Sequence, residues 1–207
     1  DFGIELASEH FGRDTSHIIA RNNLIYSCHT AGVSIGGYDQ KRGSTNDTVI
    51  VNNTLYKNDT WHTGTGEFQM QFYMRNNIFK NNIVYVGDSG RAMLSKSGRL
   101  NPTTPTVTLD HNLYYYPAGP SAVKWSFDGK DYASFQDYVK ATGNDQHSLF
   151  ADPKFVDPAS KNFNLQHDSP AIGSGAKLGP DIVGRNDLDG KPRFQNGKID
   201  IGCYETR

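Results

Sequence analysis

The chain has 207 residues, of which 21 are basic and 22 acidic, and its formal net charge at pH 7 is −1. This balance predicts no general attraction to nucleic acid or to acidic membrane surfaces. No apolar run reaches the length that a membrane-spanning helix needs, so we expect no membrane span. No basic segment is followed by an apolar one, so any secretion leader would already have been removed.

A five-residue word recurs four times, and its starts are 30, 29 and 30 residues apart. The four copies span 22–26, 52–56, 81–85 and 111–115. A fixed period of this length is typical of a solenoid, in which each repeat forms one coil stacked on the last. The Leu-x-x-Leu-x-Leu signature of leucine-rich repeats is absent. The sequence therefore predicts an all-β fold, a right-handed parallel β-helix of about four coils of 29–30 residues.

The columns of the repeat predict which side chains point inward. One apolar column precedes the asparagines and another follows them, as expected for strands around a dry core. These columns are Ala20, Ile50, Phe79 and Leu109, and then Ile25, Leu55, Val84 and Tyr114. The second residue of each word is expected to form a ladder at a bend, its side-chain amide bonding to the neighbouring coil. The ladder residues are Asn23, Asn53, Asn82 and Asn112.

Coil three differs from its neighbours in loop length. The strand that starts at Gly32 recurs after 34 residues at Gly66, so a loop near 60–66 has been lengthened. Solenoids build binding surfaces by varying loops between fixed strands. Trp61 and His62 lie in this loop, where an indole is able to stack on a sugar ring, and we assign both to substrate binding.

The repeat ends after Tyr116, which divides the chain into two parts. Residues 1–116 are predicted to form the coils, and 117–207 an irregular C-terminal cap that covers their end. The apolar residues expected to plug the last coil are Phe155, Phe163, Leu165, Ile172, Ile199 and Ile201.

The cap is predicted to begin with a short hairpin and to contain one short helix. A strand at 123–127 leads into a turn at 128–129, where Asp-Gly favours a hairpin. The helix is expected at about 134–142, with Ser134 as its N-cap and Gly143 beyond its C-terminus.

The tail carries five short motifs in order, all within 147–205. They read Asp-Pro-x-Phe, Asn-Phe-x-Leu, Ser-Pro-Ala-Ile-x-x-Gly, Asp-x-Asp-Gly-x-Pro-Arg and Asp-Ile-Gly-x-Tyr-Glu. With the asparagine repeat, this tail resembles the closing segment of secreted bacterial β-helix proteins of the pectate-lyase-like superfamily. The resemblance implies a secreted or cell-surface protein whose partner is a polysaccharide. Many members of that superfamily are polysaccharide lyases or glycoside hydrolases.

Acidic residues of the tail leave two alternatives open. Asp187, Asp189 and Asp200 offer carboxylate oxygens, the ligands that calcium prefers, so calcium is a candidate cofactor. Alternatively, Arg185 and Arg193 pair with these carboxylates and the neighbouring glycines serve turns.

Candidate catalytic residues follow from what each chemistry needs. A lyase needs a base that removes the proton alpha to a carboxylate, and cations that stabilise the anion formed. A hydrolase needs two carboxyl groups at a defined separation. Counting by the repeat places Glu9, Tyr38 and Lys96 in one outward column. The catalytic candidates are Lys96, Arg91, His10 and Glu9, and the substrate-binding candidates are Tyr38, Asp39, Arg13, Trp61 and His62.

These features predict the C-terminal part of a secreted carbohydrate-active β-helix protein, a polysaccharide lyase that acts on an acidic glycan. One alternative is a non-catalytic glycan-binding module, similar to an adhesin or a tailspike; another is a glycoside hydrolase. The first coil is expected to pair with upstream coils or with a second copy. The repeat places Cys28 and Cys203 in different parts of the molecule, which favours free thiols over a disulfide.

Overall fold

The computed structural model describes residues 1–88, 92–96 and 106–206, which form a parallel β-solenoid of about four coils. Each fully described coil passes in turn through four sheets, A to D, and its strands pair in parallel with those of the next coil. The predicted all-β solenoid is confirmed. Within the described ranges, no helix is long and apolar enough to cross a membrane.

The four sheets run along the length of the solenoid. Sheet A contains β1 (Ile4–Ser8), β5 (Val33–Gly37), β9 (Phe68–Met70), β13 (Ala92–Lys96), β16 (Lys124–Phe127) and the antiparallel β17 (Lys130–Tyr132). Sheet B contains β2 (Thr15–Ser16), β6 (Thr45–Asn46) and β10 (Met74–Arg75). Sheet C contains β3 (Ile19–Arg21), β7 (Val49–Val51), β11 (Asn77–Lys80) and β14 (Val107–Asp110). Sheet D contains β4 (Leu24–Tyr26), β8 (Thr54–Tyr56), β12 (Ile83–Tyr85), β15 (Leu113–Tyr115) and β18 (Leu149–Phe150).

The register between coils follows the asparagine repeat in sheets C and D. Both predicted apolar columns pair as expected and belong to one buried core. Ile50, Leu55, Phe79 and Val84 are fully shielded from solvent. Because strand side chains alternate between faces, the correct register buries the whole column at once.

The predicted asparagine ladder lies at the bend between sheets C and D. Asn23 Nδ2 donates to Asn53 Oδ1 at 2.9 Å, Asn53 Nδ2 to Asn82 Oδ1 at 3.0 Å, and Asn82 Nδ2 to Asn112 Oδ1 at 3.3 Å. The same oxygens accept the backbone N–H of the preceding ladder residue. The left-handed backbone of the bend falls one residue earlier, at Asn22, Asn52, Asn81 and His111, with φ of 57°, 53°, 57° and 53°.

The ladder ends on a buried carboxylate. Asn112 Nδ2 donates to Asp145 Oδ1 at 3.0 Å, and the hydroxyls of Tyr114, Tyr138 and Ser148 also donate to this carboxyl. Burial raises the pKa of Asp145 to about 6, although these hydrogen bonds oppose the rise. Asn112 Nδ2 also donates to Phe79 O at 3.0 Å, so Asp145 accepts from the amide's second N–H, as the next asparagine does in the earlier coils.

A second, shorter polar stack lies at the turn between sheets D and A. Asn58 accepts the Cys28 backbone N–H at 3.0 Å and donates to both oxygens of Glu67, from its backbone N at 2.8 Å and from Nδ2 at 2.6 Å. Burial raises the pKa of Glu67 to about 8, against the effect of these hydrogen bonds. The stack therefore links two successive turns between sheets D and A, and it ends on a buried acid.

The end of the solenoid is covered by the hairpin β16–β17 and a helix. Helix α1 (Phe135–Thr142) begins after Ser134, whose hydroxyl accepts the Asp137 N–H, and ends at Gly143 with φ of 73°. Trp125, Phe135 and Tyr138 join the same core as the coils. These aromatic side chains shield the last rung from water.

The tail residues expected to plug that end lie elsewhere. We call residues 151–206 the strap; it contains sheet E, formed by β19 (Phe155–Asp157) and β20 (Asn162–Leu165), a 3₁₀ turn (Pro158–Ser160) and α2 (Pro180–Val183). Phe155, Phe163, Leu165, Ile172 and Ile201 cluster with outward residues of sheet D, and Ile199 clusters with Val51 of sheet C. The plug prediction was wrong because outward apolar residues such as Val51, Ile83 and Leu113 give the tail an apolar side wall to cover.

The strap is fastened to the left-handed residues of the bend. Asn22 Nδ2 donates to Val183 O and Asn186 O, Asn52 Nδ2 to Asp200 O, and Asn81 Nδ2 to Ala176 O. The attachment spans three coils. At one close approach Gly202 has φ of 100°, and a Cβ there would lie 2.6 Å from Ile83 Cδ1, so only glycine fits.

A buried ion pair anchors the end of the strap. Arg193 Nη1 donates to Glu205 Oε1 at 2.8 Å, and Arg193 Nε donates to Asn22 Oδ1 at 3.1 Å. Arg193 is fully shielded from solvent. Cys28 and Cys203 are both free, as predicted.

Candidate functional site

An open cleft of about 590 Å³ lies beside the turns that lead from sheet A to sheet B. Its described lining comes from consecutive coils, since the same turn recurs in each. The lining residues are Gly12, Arg13, Asp14, Lys41, Gly43, Ser44, Asn46, Gln71, Tyr73, Met74, Arg75, Lys96 and Thr106. We call this feature the basic cleft.

Positive charge dominates the described lining of the cleft. Arg13, Lys41, Arg75 and Lys96 are cationic, and Asp14 is the single acidic residue among the described lining residues. Arg75 Nη2 lies 3.1 Å from Asp47 Oδ2, yet the Arg75 side chain is 60% exposed. Cations held on rigid coils favour the binding of an anionic ligand.

The polar groups beside the cleft are held in place by hydrogen bonds. Gln71 Nε2 donates to Ser34 Oγ at 3.1 Å, and Ser34 Oγ donates to Gln69 Oε1 at 3.0 Å. Tyr73 OH donates to Gln40 O at 2.6 Å. These bonds fix the positions of side chains that a ligand would meet, which lowers the entropic cost of binding.

The structure corrects the column in which Lys96 was placed. Lys96 pairs with Met70, and Met70 with Ile35, so Lys96 stands in an inward column rather than beside Tyr38. The long loop of coil three moves the register by three residues between coils two and four. The Lys96 side chain is 1% exposed, and its ammonium contacts the Asp128 carboxylate and lies 5.0 Å from the centre of the Phe127 ring.

Four other candidates lie on turns near the cleft and are at least partly exposed. Glu9 and His10 are exposed in the turn of coil one. Tyr38 is 50% exposed, and the Arg42 guanidinium lies 4.3 Å from the centre of its ring. Asp39 pairs with Arg42 at 2.7 Å, and hydrogen bonds from Arg42 and from the Lys41 backbone lower the pKa of Asp39. Their roles in catalysis or binding stay predictions.

Trp61 and His62 lie in the turn between sheets D and A, across sheet A from the basic cleft. The loop is anchored by Asp59, whose carboxylate accepts N–H groups of Thr63, Gly64 and Gly66. The Trp61 ring stacks on His29 with centroids 4.2 Å apart, and 61% of the tryptophan is exposed. The indole is therefore pre-oriented and open to solvent, while sugar stacking stays a prediction.

The remaining predictions concern Arg91 as a catalytic residue and three acids of the tail as calcium ligands. Arg91 lies outside the described residues. The calcium candidates already accept hydrogen bonds: Asp187 from the Lys191 and Glu205 N–H groups, and Asp200 from those of Gly173 and Thr206, each at 2.7 Å. Asp189 lies 3.7 Å from Lys191. These bonds give the acids a role in the fold, while Arg193 pairs with Glu205 rather than with one of the three calcium candidates; calcium binding stays a prediction.

Sequence reasoning missed Arg75 and Tyr73 as cleft residues. Both lie at or beside β10, a strand of only two residues, although Met74 keeps the repeat spacing of 29 residues from Thr45. Two residues are too few to show the alternation by which a strand is recognised in a sequence. Arg13, by contrast, was predicted as a binding residue and does line the cleft.

Comparison with known proteins gives a relative but no activity. The chain is 41% identical over 171 residues to the uncharacterized protein YwoF of Bacillus subtilis (strain 168). The alignment covers 83% of this chain and 36% of that relative, so the chain spans about a third of the length of the curated relative it matches. No family model matches the chain, and no solved structure matches it. Function must therefore be argued from the cleft.

Proposed function

We propose that the protein binds an acidic polysaccharide in the basic cleft and cleaves it by β-elimination. The observation that carries this proposal is the excess of cations over Asp14 in the described lining. Arg13, Lys41 and Arg75 come from successive coils, so cations are distributed along the cleft, although they stand at different positions of the repeat. A polymer with a carboxylate on each sugar unit presents a matching row of anions, and guanidinium groups bind carboxylates in a bidentate manner.

The same cations suit the chemistry of elimination. A base takes the proton alpha to the carboxylate, the bond to the glycosidic oxygen breaks, and that oxygen leaves with a proton while a carbon–carbon double bond forms. Cations on the carboxylate stabilise the anion that develops. Lys96, whose side chain is 1% exposed and whose ammonium contacts Asp128, is less suited to meet that carboxylate than the exposed Arg75. Lys41, Tyr73 and Asp14 are the described cleft residues we would test as the base.

A glycoside hydrolase is less well supported by the cleft. Hydrolysis uses two carboxyl groups flanking the bond, whereas the described lining contributes Asp14 alone. A binding module that does not cut its ligand is the second candidate. The exposed, stacked indole of Trp61 is the observation that favours it.

Paired measurements of binding and cleavage test the proposal. The protein is incubated with polygalacturonate, alginate and a glycosaminoglycan, with and without calcium, and ultraviolet absorbance reports the unsaturated product. Affinity electrophoresis in the same polymers reports binding. We expect Arg13→Ala with Lys41→Ala to weaken binding at least about tenfold, and Lys140→Ala with Lys198→Ala, which remove exposed lysines outside the described cleft lining, to leave it unchanged.

Each outcome decides between the candidates. Binding that depends on the cleft, without product from any polymer, would contradict the lyase and leave the binding module. No binding to any acidic polymer, or equal losses in both double variants, would contradict both.

A further inference from the structure

Three potential metal ligands meet where the last coil joins the cap. Asp110 ends β14, His111 is the left-handed bend residue of coil four, and His147 lies in the loop before β18. In the three earlier coils the bend residue is an asparagine that fastens the strap. Coil four has histidine at this position, beside the loop that carries His147.

The two imidazoles converge on one carboxylate oxygen. His111 Nδ1 lies 3.0 Å and His147 Nδ1 2.9 Å from Asp110 Oδ2, and the three ligand atoms lie within 4.8 Å of one another. The His147 backbone N–H also donates to Asp110 Oδ1 at 2.9 Å. The rings are tilted by 30° with centroids 5.0 Å apart. Two ligands of a tetrahedral zinc ion, each about 2.1 Å from it, would be about 3.4 Å apart, so each imidazole nitrogen would move a few tenths of an ångström away from Asp110 Oδ2 to admit the ion.

We propose that Asp110, His111 and His147 bind a divalent transition-metal ion such as Zn²⁺. Two imidazole nitrogens with one carboxylate form a donor set that zinc, nickel and cobalt accept, and that calcium and magnesium do not favour. The Asp110 and His111 side chains are 17% and 28% exposed and belong to the rigid coil, whereas His147 is 66% exposed. Asp110 and His111 are therefore held in place, and the exposed His147 completes the site from the solvent side. Water would occupy the remaining coordination positions of the ion.

The bound ion would link the cap to the solenoid. His147 is two residues from Asp145, the carboxylate that ends the asparagine ladder, so a metal at His147 restrains the loop that completes the ladder. Because the ion binds the folded chain, it should raise the thermal midpoint, and the rise should grow with the logarithm of the free ion concentration once that exceeds the dissociation constant.

Metal titration of the tag-free, chelator-treated protein tests the inference. We expect about one equivalent of Zn²⁺ by calorimetry and a rise in thermal midpoint with Zn²⁺, while equal Ca²⁺ has no effect. Cobalt should give visible absorption bands of a bound ion. His147→Gln should weaken Zn²⁺ binding at least about tenfold and remove the midpoint rise, whereas His167→Gln, an exposed histidine outside the cluster, should bind like the parent.

Three results would overturn the inference. These are no saturable Zn²⁺ binding by the parent protein, equal binding by the His147→Gln variant, or an equal response to Ca²⁺. Any of them would leave the cluster as a set of hydrogen bonds from two imidazoles to Asp110. His147 is exposed, so its replacement should leave a folded protein, which circular dichroism would verify before titration.

Discussion

Single buried polar residues hold this solenoid in register. The two middle asparagines of the ladder, Asn53 and Asn82, each bond to the coil before and the coil after their own, so one side chain joins three successive coils. Asp145 and Glu67 are the acidic members of the two polar stacks, and burial raises the pKa of both. The stability of the fold should therefore depend on pH through Asp145 and Glu67, and on each amide side chain of the ladder.

Replacing Asn82 should be costly because its amide makes four hydrogen bonds in a dry bend. It accepts from the Asn53 N–H and Nδ2, and donates to Ile50 O and Asn112 Oδ1. We expect Asn82→Ala to lower the free energy of unfolding by about 3 kcal/mol or more, since buried partners lose their bonds. Chemical denaturation measures this, with the exposed Asn162→Ala as a control expected to cost well under about 1 kcal/mol. Equal losses in the two variants would refute the structural role of the ladder.

The buried acid Glu67 should make stability fall with rising pH. Its pKa in the folded state is about 8, above the ordinary value of 4.5, so the folded state holds more protons between these values. The stabilisation is fully present below pH 4.5 and is lost as pH rises through about 8. Glu67→Gln should reduce the decline by up to about 1.4 kcal/mol per pH unit within that window.

Denaturation from pH 5 to pH 8 measures this difference, and comparing slopes removes the contributions that both proteins share, such as that of Asp145. Glu9→Gln, in an exposed turn, is the control and should keep the parent slope. An unchanged slope in Glu67→Gln would mean that the buried side chain is ionised throughout.

The structural elements differ in how well they could be predicted from the sequence. Strands in sheets C and D were predictable because Asn23 to Asn112 repeat at nearly constant spacing. The capping of α1 by Ser134 and Gly143 was visible for local reasons, through side-chain and left-handed caps. The inward position of Lys96 could not be predicted from the sequence, because the long loop around Asp59 changes the register of sheet A alone.

The strap depends on its buried ion pair. Arg193→Ala should leave Glu205 buried without its cation, and breaking such a pair costs about 3–5 kcal/mol. We expect thermal unfolding to shift accordingly, and proteolysis to cut the strap first in the variant. Arg185→Ala, at an exposed position, should behave like the parent. A parent-like melt for Arg193→Ala would show that the apolar contacts of Ile199 and Ile201 suffice.

At the scale of the molecule, near-zero net charge conceals an uneven distribution. The chain has a net charge of −1, so composition predicted the absence of a general polyanion preference. The described cleft lining nevertheless has four cationic residues and one acidic residue, although Arg75 and Lys96 also contact Asp47 and Asp128. Composition could not show this, since Arg13, Lys41 and Arg75 come together only when coils stack. The sequence therefore allowed Arg13 to be predicted as a residue of the candidate site, but not Arg75.

This distribution predicts a strong salt dependence for glycan binding. Cleft cations that are open to solvent are screened as the Debye length falls to about 8 Å at physiological ionic strength and further beyond it. We expect the dissociation constant for an acidic polymer to rise at least about tenfold between about 0.05 M and 0.5 M NaCl. Affinity electrophoresis in graded salt measures it, with a neutral glucan as control. Salt-independent retention would point instead to aromatic stacking at Trp61.

The strap restricts how the solenoid can gain or lose coils. Its contacts to Asn22, Asn52 and Asn81 recur at the interval of the coils, so it acts as a ruler laid along three of them. Solenoids commonly gain or lose whole repeats, because each repeat contacts only its neighbours. Here, an added or deleted coil within that span would misalign the strap with every left-handed asparagine beyond the change. The number of coils beneath the strap is therefore fixed by a segment that is not itself a coil.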